Sequence, residues 1–277
     1  HRLRVVSAGF YMNPCRPSTS QDPLRYSVEV RSPADTSEQL RGEFMLLALG
    51  RVIECTVQRG GTVVIPAFAV GRAQSLIHHL WLLRQAGRLA NVPLYLDSPM
   101  AGSATQLLHE HAGEHKLTAR DYEAACAAVT YVKEVEESKA LSANRFPKVI
   151  ISASGMATGG RVLHHIAAFA GDHRNTLLFS GFQAAGTRGR KLLEGAREVK
   201  IHGEWINVRA DVAELPMLSA HADAGELLRW LSGFQRAPKR VFIVHGEPEA
   251  SEALRERIQR ELGWDATVPL QNRKYTL

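Results

Sequence analysis

Residues 63–74, VVIPAFAVGRAQ, decide the fold of this 277-residue chain. The apolar run Val63–Ala67 has the length and β-branched content of a buried strand, and Gly71 opens a helical pattern that continues to Gln85. The same succession of apolar run and helical segment recurs in four further pairs: Val92–Leu96 with Gly102–His111, Val149–Ala153 with Gly160–Ala170, Leu177–Ser180 with Thr187–Leu193, and Val241–Val244 with Glu249–Leu262. Repeated strand–helix units predict an α/β fold with a mostly parallel sheet.

Other parts of the chain depart from this rhythm. Two charged stretches, Ala119–Ala128 and Glu134–Asn144, predict helices on the surface, and the alternation within Val199–Glu214 predicts an antiparallel hairpin. The first 50 residues show the least regular pattern, with a strand expected only at Arg2–Ser7. These departures interrupt the strand–helix series without changing the predicted fold class.

The composition indicates a folded protein with one large or two ordinary domains, since 45% of the residues are hydrophobic. The chain contains no long apolar window and no basic-then-apolar signal pattern, which predicts a cytoplasmic protein without a membrane partner. Cys15, Cys55 and Cys126 share no C-x-x-C spacing, which argues against a disulfide framework and a thiolate zinc site. A net charge of +6 mildly favours an anionic partner.

Two histidines stand where catalytic groups are often found. His221 precedes a helical pattern for which Ser219 is an N-cap type residue. His245 follows the apolar run Val241–Val244, which predicts the end of a buried strand, where ligands collect in open α/β sheets. Taken alone, each residue is more simply read as an ordinary capped or solvent-facing histidine.

Six motifs occur in a consistent order along the chain: Pro66–Gln74, Asp97–Ala101, Ser152–Met156 with Gly159–Arg161, Gly181–Arg190, Ser219–Asp223 and Val244–Glu247. In this order they resemble the β-CASP branch of the metallo-β-lactamase fold. That group includes RNA-processing nucleases such as the cleavage-and-polyadenylation endonuclease and its prokaryotic relatives. The resemblance runs from about Ala48 to the end of the sequence.

The resemblance implies a β-CASP α/β cap domain inserted into a metallo-β-lactamase domain of αββα architecture. On that basis residues 32–214 are expected to form the cap. Residues 1–31 would then be a remnant of the metallo-β-lactamase domain, and residues 215–277 its C-terminal return. The catalytic domain is therefore expected to be only partly represented.

The resemblance also implies a zinc-dependent ribonuclease that hydrolyses RNA phosphodiester bonds with two zinc ions in complete family members. His221 matches the family histidine beside the scissile phosphate, and His245 matches one that binds zinc. Glu29 is expected to correspond to the acidic residue that supports the catalytic site. Two metals suit this chemistry because they generate hydroxide and stabilise both in-line oxygens.

RNA contacts are expected at the loop that follows the run Val149–Ala153. There Ser152, Ser154 and Gly155 would let backbone N–H groups approach a phosphate. Arg72, Arg161 and Arg188 are the expected guanidinium contacts to the RNA backbone. The alternatives are an ordinary tight turn for the loop, and solvated or ion-paired positions for the arginines.

The chain departs from the family pattern at the metal motifs. It contains no His-x-His-x-Asp-His segment, and Gly9 stands where the resemblance expects a bridging aspartate. We therefore expect a truncated chain that does not stably bind the two zinc ions, is inactive by itself, and pairs as a homodimer or with a complementing chain. A non-catalytic RNA-binding or assembly subunit is the main alternative, and a DNA or small-molecule hydrolase is a weaker one.

Overall fold

The computed structural model describes residues 38–115, 117–215 and 221–275. The described residues fall into two compact units, residues 38–215 and residues 221–275. Leu215, expected to open the second domain, is fully buried, and its N–H donates to the carbonyl of Phe179 at 2.7 Å. Residue 215 therefore extends the sheet of the first unit.

The first unit alternates strands and helices. Its elements are α1 (Glu38–Gln58), β1 (Thr62–Pro66), α2 (Arg72–Gln85), β2 (Leu94–Asp97), α3 (Pro99–Glu110), a 3-10 turn (Ala112–Glu114), α4 (Ala119–Ala127), β3 (Thr130–Tyr131), α5 (Val135–Ala143), β4 (Lys148–Ser152), α6 (Val162–Phe169), β5 (Thr176–Phe179), α7 (Arg188–Leu193), β6 (Glu198–Ile201), β7 (Glu204–Asn207) and β8 (Asp211–Glu214). Among the described residues, six strands form one sheet in the order β3-β2-β4-β1-β5-β8, with every neighbouring pair parallel. The predicted α/β class with a mostly parallel sheet is confirmed.

Apolar side chains cover both faces of this sheet. Val63 and Ile65 belong to one core cluster, which also contains residues of α1 and α2, whereas Val64 belongs to a second cluster with residues of α6. Successive strand residues point to opposite faces, so burial on both sides requires an uninterrupted apolar run. This requirement explains why residues 63–65 are apolar throughout.

The register brings the carboxyl ends of the central strands together. Pro66 of β1 and Asp97 of β2 both pair with Ser152 of β4. The loops that follow β1, β2, β4 and β5 therefore leave the sheet at the same border. We call this border the carboxyl edge.

Helix α1 was not anticipated, since its first residues fall in the region expected to be irregular. Met45, Leu49 and Ile53 are buried at four-residue spacing, as an amphipathic helix requires. The spacing was present in the sequence, and Gly60 and Gly61 mark the end of the helix, but no glycine or proline stands at its start as Gly71 does for α2. The strand expected at Arg2–Ser7 lies outside the described residues.

The predicted hairpin is confirmed for β6 and β7, which pair antiparallel. At its turn, His202 and Gly203 both have positive φ, 49° and 91°, as a tight primed turn requires. β8, also placed in this hairpin by the sequence pattern, instead pairs with β5 in the main sheet. Strand alternation identifies the strand but does not identify its partner.

The second unit contains α8 (Ala224–Ser232), β9 (Val241–Phe242), α9 (Pro248–Leu262) and β10 (Ala266–Thr267). β9 and β10 pair in parallel, and Leu228, Ile243 and Ile258 form the centre of a small core. The predicted closing helix is confirmed as α9. No helix in the described ranges is long and apolar enough to cross a membrane.

Candidate active site and nucleic-acid interface

Asp97 is the central charged group of the carboxyl edge. It ends β2 and is fully buried. Its Oδ1 accepts a hydrogen bond from Nη1 of Arg161, and its Oδ2 accepts one from Nε2 of His165; both donor–acceptor distances are 2.7 Å. The hydroxyl of Ser138 donates to the same Oδ2. Burial alone would raise the pKa of Asp97, but the hydrogen bonds from His165, Ser138 and Arg161 outweigh it and lower the pKa below its ordinary value. Asp97 is therefore held as a carboxylate.

His165 adds a second link between this network and α5, which already contributes Ser138. Because a carboxylate can only accept, Nε2 of His165 carries the proton toward Asp97. In the neutral ring, Nδ1 then accepts from the hydroxyl of Ser142, which lies 2.9 Å away. His165 is completely buried. The Asp97–His165–Ser142 chain thus fastens β2, α6 and α5 together.

The network fixes both ends of the loop between β4 and α6, which we call the 153–160 loop. Ser152, just before the loop, is buried and donates its hydroxyl to the carbonyl of Asp97 at 2.8 Å. Arg161, just after it, binds the Asp97 carboxylate and also donates to the carbonyl of Lys133 at 2.8 Å. Both predicted phosphate contacts therefore have partners within the protein, and they hold the loop in place.

Ser154 organises the inside of the 153–160 loop. Its Oγ accepts from the N–H of Thr158 at 3.2 Å and from the N–H of Gly159 at 3.3 Å. The hydroxyl of Ser154 is thus the acceptor for two backbone N–H groups of the loop that were expected to bind a phosphate. The alternative interpretation, a tight turn, accounts for these two N–H groups.

Gly155 is required by close packing with the loop after β1. A Cβ at this position would lie 2.8 Å from Cδ2 of Phe68 and 2.9 Å from the Phe68 nitrogen. The backbone nitrogen cannot move aside without disturbing the start of α2, because the Phe68 carbonyl accepts from the N–H of Ala73 at 3.1 Å. Glycine at 155 therefore lets two edge loops touch.

Arg188 braces the same loop from the other side. Its Nε donates to the carbonyl of Lys200 at 2.7 Å, and its Nη1 lies 3.3 Å from the carbonyl of Thr158. Arg188 thus connects the 153–160 loop to the β6–β7 hairpin. Its carbonyl partners leave part of its donor capacity for another ligand.

Arg72 differs from the other two predicted arginines. It begins α2 at the carboxyl edge and is partly buried. Its Nη2 lies beside Gly181, 3.5 Å from the position that a Cβ on Gly181 would occupy. Its side chain makes no hydrogen bond or ion pair with any described residue. Burial lowers the pKa of Arg72 from its ordinary value, which still leaves the group charged. A partly buried cation without a protein acceptor is suited to an anionic ligand.

The second unit carries the two sequence-predicted histidines. His221 is exposed and lies just before α8, whose N-cap is Asp223 in a reciprocal capping box with Glu226. Ser219, the expected N-cap residue, lies outside the described residues, and the N-cap of α8, which begins at Ala224, is Asp223. His221 therefore lies in the loop that leads to the N-cap of α8.

His245 follows β9 and is also exposed, with a left-handed backbone at φ 67°. The expected buried strand Val241–Val244 is wrong in length and burial, since β9 ends at Phe242 and Val244 is 62% exposed. Among the described residues β9 pairs with β10 alone, which leaves the strand with less cover than a central one. His245 lies three residues after β9, on the carboxyl side of the strand, where α/β sheets place their ligands.

The described residues do not by themselves form a zinc site. A zinc site in a protein uses three or four protein donors, and no group of three histidine, cysteine, aspartate or glutamate side chains within the described ranges is arranged to hold a metal. Glu29, the predicted acidic site residue, lies outside the described residues. His245 therefore remains a single candidate donor.

Asp97 and His165 were not predicted as site residues. Asp97 was visible as a carboxylate that ends an apolar strand, the position where α/β sheets place functional groups. His165 occurs in an apolar helical stretch, where a buried histidine signals a hydrogen-bonded partner. Pairing them required the sheet order, which places β4 beside β2.

Comparison with known proteins gives two family matches. The Beta-Casp domain matches residues 73–192, and the Zn-dependent metallo-hydrolase RNA specificity domain matches residues 205–269. Ribonuclease TTHA0252 from Thermus thermophilus is 39% identical over 73% of this chain and 47% of its own length. The transcription termination factor FttA from Methanosarcina mazei is 33% identical over 77% of this chain and 35% of its own length. An RNase J-like protein from Methanocaldococcus jannaschii is 31% identical over 78% of this chain and 50% of its own length. The chain thus spans half or less of the length of these relatives.

Proposed function

Because this chain belongs to the β-CASP family of the metallo-β-lactamase fold, we propose that the protein is a zinc-dependent ribonuclease that hydrolyses RNA phosphodiester bonds during RNA processing. The relative from Thermus thermophilus is named a ribonuclease, and one matched domain is described as an RNA specificity domain. The observation that carries the proposal is Arg72, a partly buried cation at the carboxyl edge whose side chain has no acceptor among the described residues.

In this proposal the carboxyl edge holds the RNA backbone. Arg72 contacts one phosphate with its guanidinium, which can bind two phosphate oxygens at once. Arg188 contributes a further donor, while Ser152, Ser154, Gly155 and Arg161 shape the 153–160 loop. Asp97 keeps that loop in a single arrangement through its bonds to Arg161 and through its carbonyl.

The second unit supplies the proposed chemical groups. An imidazolium at His221 would hydrogen-bond the scissile phosphate or protonate the leaving oxygen. The second of these actions is general acid catalysis. His245 is proposed as one donor to a zinc ion, and no described residue completes the coordination of that ion. Glu29 keeps its proposed role as a supporting carboxylate.

A cleavage assay tests this function. Single-stranded RNA labelled at one end is incubated with the purified protein, with zinc and with a chelator, alongside His221→Gln and His245→Gln. Although the missing metal motif led to an expectation of inactivity, this proposal requires zinc-dependent cleavage by the wild type and at least a hundredfold loss in His221→Gln, the scale of general acid catalysis. Cleavage that survives both substitutions and the chelator would exclude the proposed chemistry.

A second candidate is a non-catalytic RNA-binding subunit that works with a second copy or a complementing chain. The observation that favours it is the incomplete zinc site among the described residues. This candidate predicts RNA binding that weakens with salt, persists in the chelator and is accompanied by no cleavage. Zinc-dependent cleavage by the isolated protein would eliminate it.

A further inference from the structure

Two phenylalanines at the carboxyl edge are exposed although they follow buried strands. Phe68 follows β1 and is 48% exposed, and Phe182 follows the neighbouring β5 and is 52% exposed. Neither ring packs against another aromatic ring of the described residues. Exposed aromatic faces at a ligand-binding border need an explanation that core packing does not supply.

The protein holds both rings in fixed loops. The ring of Phe68 packs against Gly155, and the amide Nε2 of Gln183 donates to the carbonyl of Gly155 at 3.0 Å. The same nitrogen donates to the carbonyl of Phe182 at 3.2 Å. One buried glutamine therefore joins the loop that carries Phe182 to the loop that supports Phe68.

Arg72 is close to both phenylalanine loops. It lies four residues after Phe68, and its guanidinium is beside Gly181, the residue before Phe182. The edge thus presents a cation together with two exposed π faces. Phe68, Arg72 and Phe182 together are named the stacking platform below.

We infer that the stacking platform binds single-stranded RNA by stacking one base on Phe68 and one on Phe182, with a backbone phosphate on Arg72. This inference rests on the proposed function and adds base contacts to the phosphate contact already described. Base stacking on aromatic side chains is tolerant of sequence, because every base presents a π face. Bases within a duplex have no free face to offer.

The chemistry of the platform argues against an apolar protein partner. Such a partner would cover Arg72 without neutralising it, and no described carboxylate is in contact with that guanidinium. Burying an unpaired charge is expensive, whereas a nucleotide brings an anion and a flat ring together. The platform matches the repeating chemistry of an RNA strand.

The test uses two probes of equal length: an unmodified single-stranded RNA, and an abasic strand with the same sugar–phosphate backbone. Fluorescence anisotropy gives the affinity of the full chain for each. We expect Phe68→Leu and Phe182→Leu each to weaken binding of the unmodified strand about five- to tenfold, within the range of base stacking. Binding of the abasic strand should stay unchanged.

Matched controls come from the opposite edge of the sheet. Arg145 and Phe146 precede β4, and Phe146 is 79% exposed. Phe146→Leu and Arg145→Gln repeat the same chemical changes away from the platform and should leave both affinities as in the wild type. Arg72→Gln, by contrast, should weaken both strands, because it acts on the backbone.

A second readout separates stacking from a change in folding. 2-Aminopurine placed in the unmodified strand is expected to lose fluorescence on binding and to regain it with Phe68→Leu or Phe182→Leu. The stacking platform would be overturned if both variants kept the affinity and the quenching of the wild type. It would also be overturned if each variant lost the same affinity for the unmodified and the abasic strand. Neither result would contradict RNA binding by the protein. A wild-type protein that binds neither strand would overturn the proposed function as well.

Discussion

Nε2 of His165 lies 2.7 Å from Oδ2 of Asp97, and both side chains are completely shielded from solvent. The other carboxylate oxygen binds Arg161, the residue just before α6, so one buried anion connects α6 and its preceding loop to the end of β2. Arg161 closes the 153–160 loop, which makes this pair part of the support of the carboxyl edge. The same residues account for stability and for the shape of the proposed RNA site.

Asp97→Asn tests this support. The substitution leaves Arg161, of which 21% is exposed, without its counterion, and we expect the free energy of unfolding to fall by about 3 kcal/mol. Urea denaturation measures the change. Asp172→Asn breaks the exposed pair with Arg174 and should cost less than about 1 kcal/mol. Equal effects of the two substitutions would show that Asp97 has no special structural role.

The stability supplied by Asp97 should depend on pH. Its folded-state pKa is below the ordinary value of 3.8, so its contribution is complete above about pH 4 and is lost as pH falls through the lower folded-state pKa. The difference in unfolding free energy between wild type and Asp97→Asn should therefore shrink on acidification below pH 4. Chemical denaturation of both proteins across this range provides the measurement. A difference that stays constant to pH 2 would contradict the assignment.

Gly155→Ala tests the contact between the edge loops. The new methyl group would meet the backbone nitrogen and ring of Phe68, and we expect a loss of stability of about 1–3 kcal/mol. Gly159→Ala is the matched control in the same loop, since a Cβ there has nothing within 4 Å. Thermal unfolding of the two variants gives the comparison. A loop that tolerated both changes equally would mean that the contact with Phe68 is not restrictive.

The sequence predicted the strand–helix succession of the first unit because apolar runs and turn residues are local signals. Helix α1 was missed although Met45, Leu49 and Ile53 repeat at helical spacing, since no glycine or proline marks its start. β8 was recognised as a strand but assigned to the hairpin, because its partner β5 lies more than 30 residues away along the chain. Local pattern determines an element, whereas its partner depends on packing across the fold.

The candidate site shows the same difference between what local sequence indicates and what depends on the fold. Arg72, Arg161 and Arg188 were identified together from the sequence, but their surroundings differ. Arg161 binds the carboxylate of Asp97, and Arg188 binds backbone carbonyls. Of the three, Arg72 alone has a side chain with no hydrogen-bond or ion-pair partner, side-chain or backbone, among the described residues. The residue type gives the charge, and only the fold shows which charge has already been neutralised. For the same reason the motif Asp97–Ala101 does not reveal that Asp97 binds Arg161 and His165, which lie more than 60 residues further along the chain.

The affinity of single-stranded RNA for the wild type and for Arg72→Gln, measured from low to moderate salt, tests the central claim most directly. We expect the wild type to bind, and the variant to bind about tenfold more weakly at low salt because one charge-assisted contact is lost. The slope of log affinity against log salt should decrease in magnitude by about 0.7, the value for one phosphate contact to a single strand. Arg145→Gln should reproduce the wild-type slope. Absence of wild-type binding, or identical slopes for Arg72→Gln and the wild type, would contradict the claim that the carboxyl edge holds the RNA backbone.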